Sequence, residues 1–174
     1  MDLMIDHVSS PLGDLLLVGD GAGRLHACDY ADCEERLRRL LARRHGDVSL
    51  MPGPAPLGVA DALARYFAGD VAAVDSVPVV LGGTAFQNRA WAALRQIPAG
   101  RPATYGDQAR RIGNPSAARA VGSANYANPF NIIVPCHRVV GAKGALTGYA
   151  GGLSRKRWLL DHEDRHTGAI GLLL

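Results

Sequence analysis

The chain has 174 residues, 48% hydrophobic, 20% charged and 6% aromatic, with 19 basic and 16 acidic side chains for a net charge of +3. This balance suits one compact unit or two small lobes with a real core, and it excludes collagenous, coiled-coil and disordered chains. No apolar run approaches the roughly 18–20 residues of a membrane span, and the acidic start MDLMIDHVSS is unlike a secretory signal, so a cytoplasmic location is expected.

Three alternating segments come first, Leu3–Val8, Asp14–Gly19 and Arg24–Asp29, separated by Ser10-Pro-Leu-Gly13 and Asp20-Gly-Ala-Gly23. Alternation bounded by turn residues predicts a small antiparallel meander. Cys33–Gly46 carries Leu37, Leu40 and Leu41 on one helical face and ends on glycine, the pattern of an amphipathic helix. A proline-rich loop then leads to a second helix near Val59–Ala68, and Val77–Leu81 reads as a short apolar strand. Gly82-Gly83 is the expected boundary between an α/β lobe, residues 1–82, and a helical lobe, residues 83–174.

The second lobe opens on Thr84-Ala-Phe-Gln87, a capping box for a helix bearing Phe86, Trp91 and Leu94. A short helix over Tyr105–Ile112, a turn through Gly113-Asn114-Pro115 and a helix from Ser116 to Tyr126 have the spacing of a helix-turn-helix. The second of these helices is thin, built from Ala117, Ala118, Ala120, Gly122, Ser123 and Ala124, with Arg119 as its one long basic side chain. Such a helix can enter a narrow groove or pack closely on a neighbour.

The net charge hides an asymmetry. Residues 1–80 hold 7 basic and 12 acidic side chains, a net of −5, whereas residues 81–174 hold 12 basic and 4 acidic ones, a net of +8. Two readings stay open: a half that meets a polyanion, or a surface made soluble with arginine. The three cysteines, Cys28, Cys33 and Cys136, are odd in number and widely spaced, which fits a reducing compartment and no disulfide framework. His26 near Cys28 and Cys33, and the pair His162 and His166, have no second ligand cluster, so no metal is expected and the two late histidines read as a solvated helix end.

Chemistry concentrates in Asn128-Pro-Phe-Asn-Ile-Ile-Val-Pro-Cys-His-Arg-Val139. Ile132–Val134 reads as a short buried strand, after which Pro135 fixes the backbone that presents Cys136. His137 and Arg138 next to the thiol are expected to favour thiolate. Adjacent side chains on an extended backbone rarely face each other, so a water between Cys136 and His137 is the expected proton path. The imidazole then needs an orienting acid. Glu163 suits that role, because it lies four residues beyond Leu159 on the inner face of the last helix. Thr147-Gly-Tyr-Ala-Gly-Gly152 reads either as a loop that wraps a flat ligand or as a plain turn.

Together these segments resemble the O6-alkylguanine-DNA alkyltransferase (methylated-DNA–protein-cysteine methyltransferase) family in its compact bacterial form. The resemblance rests on Thr84-Ala-Phe-Gln87, Ala117-Ala-Arg-Ala-Val-Gly122, Ile133-Val-Pro-Cys-His-Arg-Val139 and Trp158-Leu-Leu-Asp-His-Glu163, in order and at the family's spacing. In the first lobe it is looser, resting on Ser10-Pro-Leu-Gly13 and Tyr66-Phe-Ala-Gly69. It implies a ribonuclease H-like α/β lobe, a helical lobe with a helix-turn-helix, and no cofactor. It further implies a monomer, able to assemble cooperatively, that binds double-stranded DNA through the minor groove and flips O6-alkylguanine, and O4-alkylthymine, into a pocket. Cys136 would accept the alkyl group once and irreversibly, with His137 and Glu163 assisting. By the same resemblance Asn128 braces the active-site segment, Arg119 fills the space left by the flipped base, and Tyr105 and Tyr149 contact that base. Ala118, Ser123 and Val139 would add DNA and substrate contacts. Two departures stand out: Tyr126 in place of a small residue, expected to alter the DNA contact, and Arg157 in place of an acid, adding to the basic face. A non-catalytic lesion-binding or regulatory protein is the alternative, and a cysteine hydrolase, which would need a separate oxyanion site, is disfavoured because His137 is sequence-adjacent to Cys136 and the pocket motif belongs elsewhere.

Overall fold

The computed structural model describes residues 1–168. Strands β1 (Asp2–Val8), β2 (Leu15–Gly19) and β3 (Leu25–Tyr30) form the expected antiparallel meander. Helix α1 (Glu34–His45) buries Leu37, Leu40 and Leu41 as its spacing requires. The sheet is mixed, however, because β4 (Ser49–Pro52) returns after α1 and pairs parallel with β1, giving the order β3-β2-β1-β4. Its sequence, SLMP, is too short and too exposed to announce a strand.

Helix α2 (Val59–Phe67) follows. Residues Val77–Leu81 do not form the expected strand: Val79 makes a single bridge to Leu25, and Pro78 has no N–H with which to extend a ladder. Helix α3 (Ala85–Leu94) starts at the predicted Thr84–Gln87 capping box. A second capping box, Thr104 with Asp107, turns β5 (Ala103–Thr104) directly into α4 (Tyr105–Arg111). Helix α5 (Ala118–Tyr126) packs on α4 through Ala109, Ala117 and Val121. The chain then passes a 3₁₀ turn over Cys136–Arg138, pairs β6 (Val139–Val140) parallel with β5, and continues into α6 (Leu153–Thr167).

One apolar cluster runs from Leu15, Leu17 and Tyr66 on the sheet side to Phe130, Ile133 and Leu159 on the helical side, so the segment leading to Cys136 is seated against the sheet side. Edge strand β3 receives it directly: Cys28 N–H donates to Pro129 O at 2.9 Å, and Asn131 N–H donates to Cys28 O at 2.8 Å. The two late histidines differ from the expected solvated pair. His162 is buried, stacked on Trp158 and bonded to Tyr66 O, while His166 is exposed. No described helix is long and apolar enough to cross a membrane.

Candidate active site

Ile132–Val134 is buried as expected but forms a tight turn, not a strand. Two asparagines impose the turn. Asn128 accepts from Phe130 N–H at 2.8 Å and donates to Val134 O at 2.8 Å, while Asn131 donates to Asp29 Oδ1 at 2.7 Å. The result is a β-branched residue, Ile132, held at φ 73°, a conformation costing of order 1–3 kcal/mol. Strain of this kind persists only where surrounding bonds over-determine it. Here it aims the backbone so that Cys136 emerges from the core.

Cys136 is 7% exposed and lines a cavity of about 180 Å³ with Tyr105, Gly122, Asn125, Tyr126 and the loop over 147–150 that includes Tyr149. The loop over 147–150 therefore lines a cavity. Lys156 of α6 anchors it, donating to Gly148 O at 2.9 Å and Val139 O at 2.6 Å. Thr147 reaches across to the Tyr105 hydroxyl at 3.2 Å. Behind, Tyr149 meets Tyr30 through their hydroxyls at 3.0 Å. Gly151 leaves room for both rings, since a Cβ there would fall 2.4 Å from Tyr30 and 2.8 Å from Tyr149.

The far wall of the cavity is α5. Gln108 and Asn125 exchange two carboxamide bonds of 2.8 and 2.7 Å, and Trp91 donates to Ala124 O at 2.8 Å, which fixes the helix over the site. Arg36 of α1 caps its end by donating to Tyr126 O and Asn128 O, itself held by Asp29 at 2.7 Å. Tyr126 is 62% exposed at the cavity rim. Arg119 and Ser123 lie exposed on α5, and Ala118 is half-buried there; none of the three lines the cavity. Val139 is buried behind it, with its carbonyl already occupied by Lys156.

His137 and Glu163 meet as the sequence predicts, Nε2 to Oε1 at 2.7 Å and both fully buried. An ionised carboxylate only accepts, so Nε2 carries the proton and Nδ1 the lone pair. Nδ1 is buried without a protein partner among the described residues. Burial pushes the His137 pKa below its usual 6.5 despite the carboxylate, so the ring is neutral at pH 7. Burial opposes ionisation of Glu163 as well, but His137 and Arg138 outweigh it and bring that carboxyl down to about 2.

The expectation that His137 and Arg138 promote a resting thiolate is not met. Burial raises the Cys136 pKa, and the influences opposing it come from Asn128, Arg36 and Lys156. Arg138 is turned away from the sulfur into the core, where it chelates Glu163 at 3.0 Å through Nε and through Nη2 and donates to Ile97 O. Sequence reasoning missed Arg138 as an ion-pair partner, Lys156 as a loop anchor and Arg36 as the link to α5. Only Arg36 had a signal, as an arginine among inward-facing leucines.

Among the described residues no group of His, Cys, Asp or Glu is gathered to hold a metal. Of the three cysteines Cys136 alone lines a cavity described here, while burial raises the pKa of both Cys28 and Cys33, the latter to about 11. Fold and site thus define a two-lobed protein with one cavity-facing thiol backed by a buried imidazole–carboxylate pair.

Comparison with known proteins agrees with that class. The DNA-binding domain of 6-O-methylguanine DNA methyltransferase matches residues 85–165. A methylated-DNA–protein-cysteine methyltransferase from Salmonella typhimurium is 47% identical over 163 residues, spanning 92% of this chain and 95% of the relative. One from Mycobacterium tuberculosis is 46% identical over 156 residues, spanning 90% of this chain and 89% of the relative. The crystal structure of Mycobacterium tuberculosis O6-methylguanine methyltransferase superposes with a TM-score of 0.76 at 40% identity, covering 99% of both chains. A structure of Mycobacterium tuberculosis OGT in complex with DNA gives 0.77 at 41% identity, covering 95% of this chain and 94% of that one. The chain belongs to the methylated-DNA–protein-cysteine methyltransferase family.

Proposed function

We propose that the chain binds double-stranded DNA through the minor groove with the α4–α5 pair as a helix-turn-helix, rotates O6-alkylguanine or O4-alkylthymine into the cavity, and takes the alkyl group onto Cys136. In this division residues 1–82 scaffold the site and residues 83–174 bind DNA and carry the reaction. The observation that carries the reading is Cys136 in the cavity with the His137–Glu163 pair behind it. An alkyl carbon inside the base stack offers no open line for displacement, so the base must leave the helix. The thin α5 surface suits a minor groove about 6 Å wide, and Arg119 fills the gap in the stack.

In the transfer step the Cys136 proton passes to His137 Nδ1 through one water, a new S–C bond forms, and the C–O6 bond breaks with its electrons leaving on the base. The departing base is protonated or hydrogen-bonded, and Tyr105 and Tyr149 lie beside it. Water cannot displace the thioether formed, so each molecule reacts once.

The relay has a pH signature. Activity requires neutral His137, whose pKa lies below 6.5, so single-turnover transfer holds through neutrality and falls only as pH drops below 6.5. A rate rising tenfold per pH unit from 7 to 9 would instead indicate prior ionisation of the thiol without the imidazole.

Arg119 tests the flipping role. The Arg119→Ala protein should lose about 10- to 100-fold in rate on a methylated duplex and less than about twofold on free O6-benzylguanine, where nothing has to be unstacked. Equal losses on the two substrates would remove Arg119 from base rotation.

A further inference from the structure

The carboxylate that orients His137 has a third partner, and it comes from the other lobe. Tyr66, in the last turn of α2, donates its hydroxyl to Glu163 Oε1 at 2.8 Å. That same oxygen accepts His137 Nε2–H at 2.7 Å and Arg138 Nη2–H at 3.0 Å, while Oε2 accepts Arg138 Nε–H at 3.0 Å. Tyr66 is itself tied back to α6, since its carbonyl accepts from His162 Nε2 at 2.7 Å. Both Tyr66 and the whole relay are buried.

We infer that Tyr66 is a positioning residue of the transfer reaction, a first-lobe hydroxyl that divides the charge of Glu163 between itself and His137. The inference rests on the relay proposed above. A carboxylate oxygen that serves three donors gives less to each. Tyr66 thereby limits how strongly Glu163 stabilises a protonated His137, keeping the ring neutral and Nδ1 free to accept at physiological pH.

The other groups around the pair do not substitute for it. Arg138 is occupied by both carboxylate oxygens and Ile97 O, with Asp75 at 3.8 Å on its outer side. Lys156, on α6, spends its ammonium on Val139 O and Gly148 O. Tyr149 meets the His137 ring edge-on at 6.4 Å and bonds Tyr30. His162 is bonded to a backbone carbonyl, the Cys136 thiol faces the cavity, and Tyr30 and Asp164 are further titratable neighbours of Tyr66 and Glu163.

The sign of the effect follows. Removing the hydroxyl leaves Glu163 a stronger acceptor towards His137, so His137 takes a proton at a higher pH. In the Tyr66→Phe protein the acid limb of single-turnover transfer to O6-benzylguanine should move up by about one pH unit. The rate loss should be largest on the acid limb and shrink towards pH 8. Replacing Tyr66 by 3-fluorotyrosine, a more acidic donor of almost the same shape, should move the limb the opposite way and keeps the test alive if the phenylalanine variant folds poorly. The ring ¹H–¹⁵N signal of His137 should shift in both proteins.

A loss equal at every pH, or a limb unmoved in both variants, would overturn the inference and leave Tyr66 a packing residue. The His137→Gln protein run alongside separates the two levels. If it transfers at the parental rate, the relay itself fails; if it is slow while the Tyr66 variants keep the parental profile, only the role of Tyr66 fails.

Discussion

The Cys136→Ser protein should accept no alkyl group, a loss on the order of 10⁴-fold or more, while still binding an O6-methylguanine duplex within a few-fold of the parent. The substitution keeps a small polar side chain in the cavity wall and removes the soft, ionisable sulfur. Gel-shift titration and a transfer assay on the same preparation check both halves. Persistent transfer onto Cys28 or Cys33 would defeat the assignment, since neither thiol lines the cavity that Cys136 faces. Loss of transfer together with loss of binding would mean that serine damages the site and not the chemistry alone.

Glu163→Gln should cost both stability and rate. Arg138 is fully buried and has Glu163 as its close charge partner, with Asp75 at 3.8 Å as the next carboxylate. Breaking one side of a buried pair leaves the other charge uncompensated, which costs about 3–5 kcal/mol. For a chain of this length that lowers Tm by about 10 °C. The rate should fall about 100-fold, because glutamine can hold the ring but cannot stabilise the imidazolium formed during transfer. There is also a pH signature. The Glu163 pKa is depressed from 4.5 to about 2, so its contribution to stability is complete above 4.5 and is lost as pH falls towards 2. The glutamine variant should lack that acid-dependent loss. A Tm within about 2 °C of the parent would show that the pair contributes little to the fold.

The local fold was legible where periodicity and capping speak for themselves. The meander, the amphipathic α1 and the Thr84 capping box are readable because alternating apolar residues, a leucine stripe and an N-cap oxygen act within a few residues. Strand β4 was not, since its four residues owe their conformation to β1 across the sheet. The turn at Ile132–Val134 was misread for a similar reason: an apolar β-branched run favours strand locally, and two asparagine side chains override it.

At the site, adjacency in sequence pointed to Cys136 and His137, and a position four residues beyond Leu159 on the inner helical face pointed to Glu163. What sequence could not supply was direction. Arg138 follows the histidine, so it looked like a charge for the thiol, yet the 3₁₀ turn rotates it into the core. Tyr66 lies 97 positions from its partner, Glu163, and only the folded chain brings its hydroxyl to the carboxylate.

The most direct test follows one alkyl group. A duplex carrying a single radiolabelled O6-methylguanine, incubated with the protein and resolved by peptide mapping, should move its label to the peptide containing Cys136. The label should plateau at no more than one equivalent per molecule. Label that remains on the DNA while the protein binds it, label on another cysteine, or more than one equivalent transferred would contradict a single-use acceptor at Cys136.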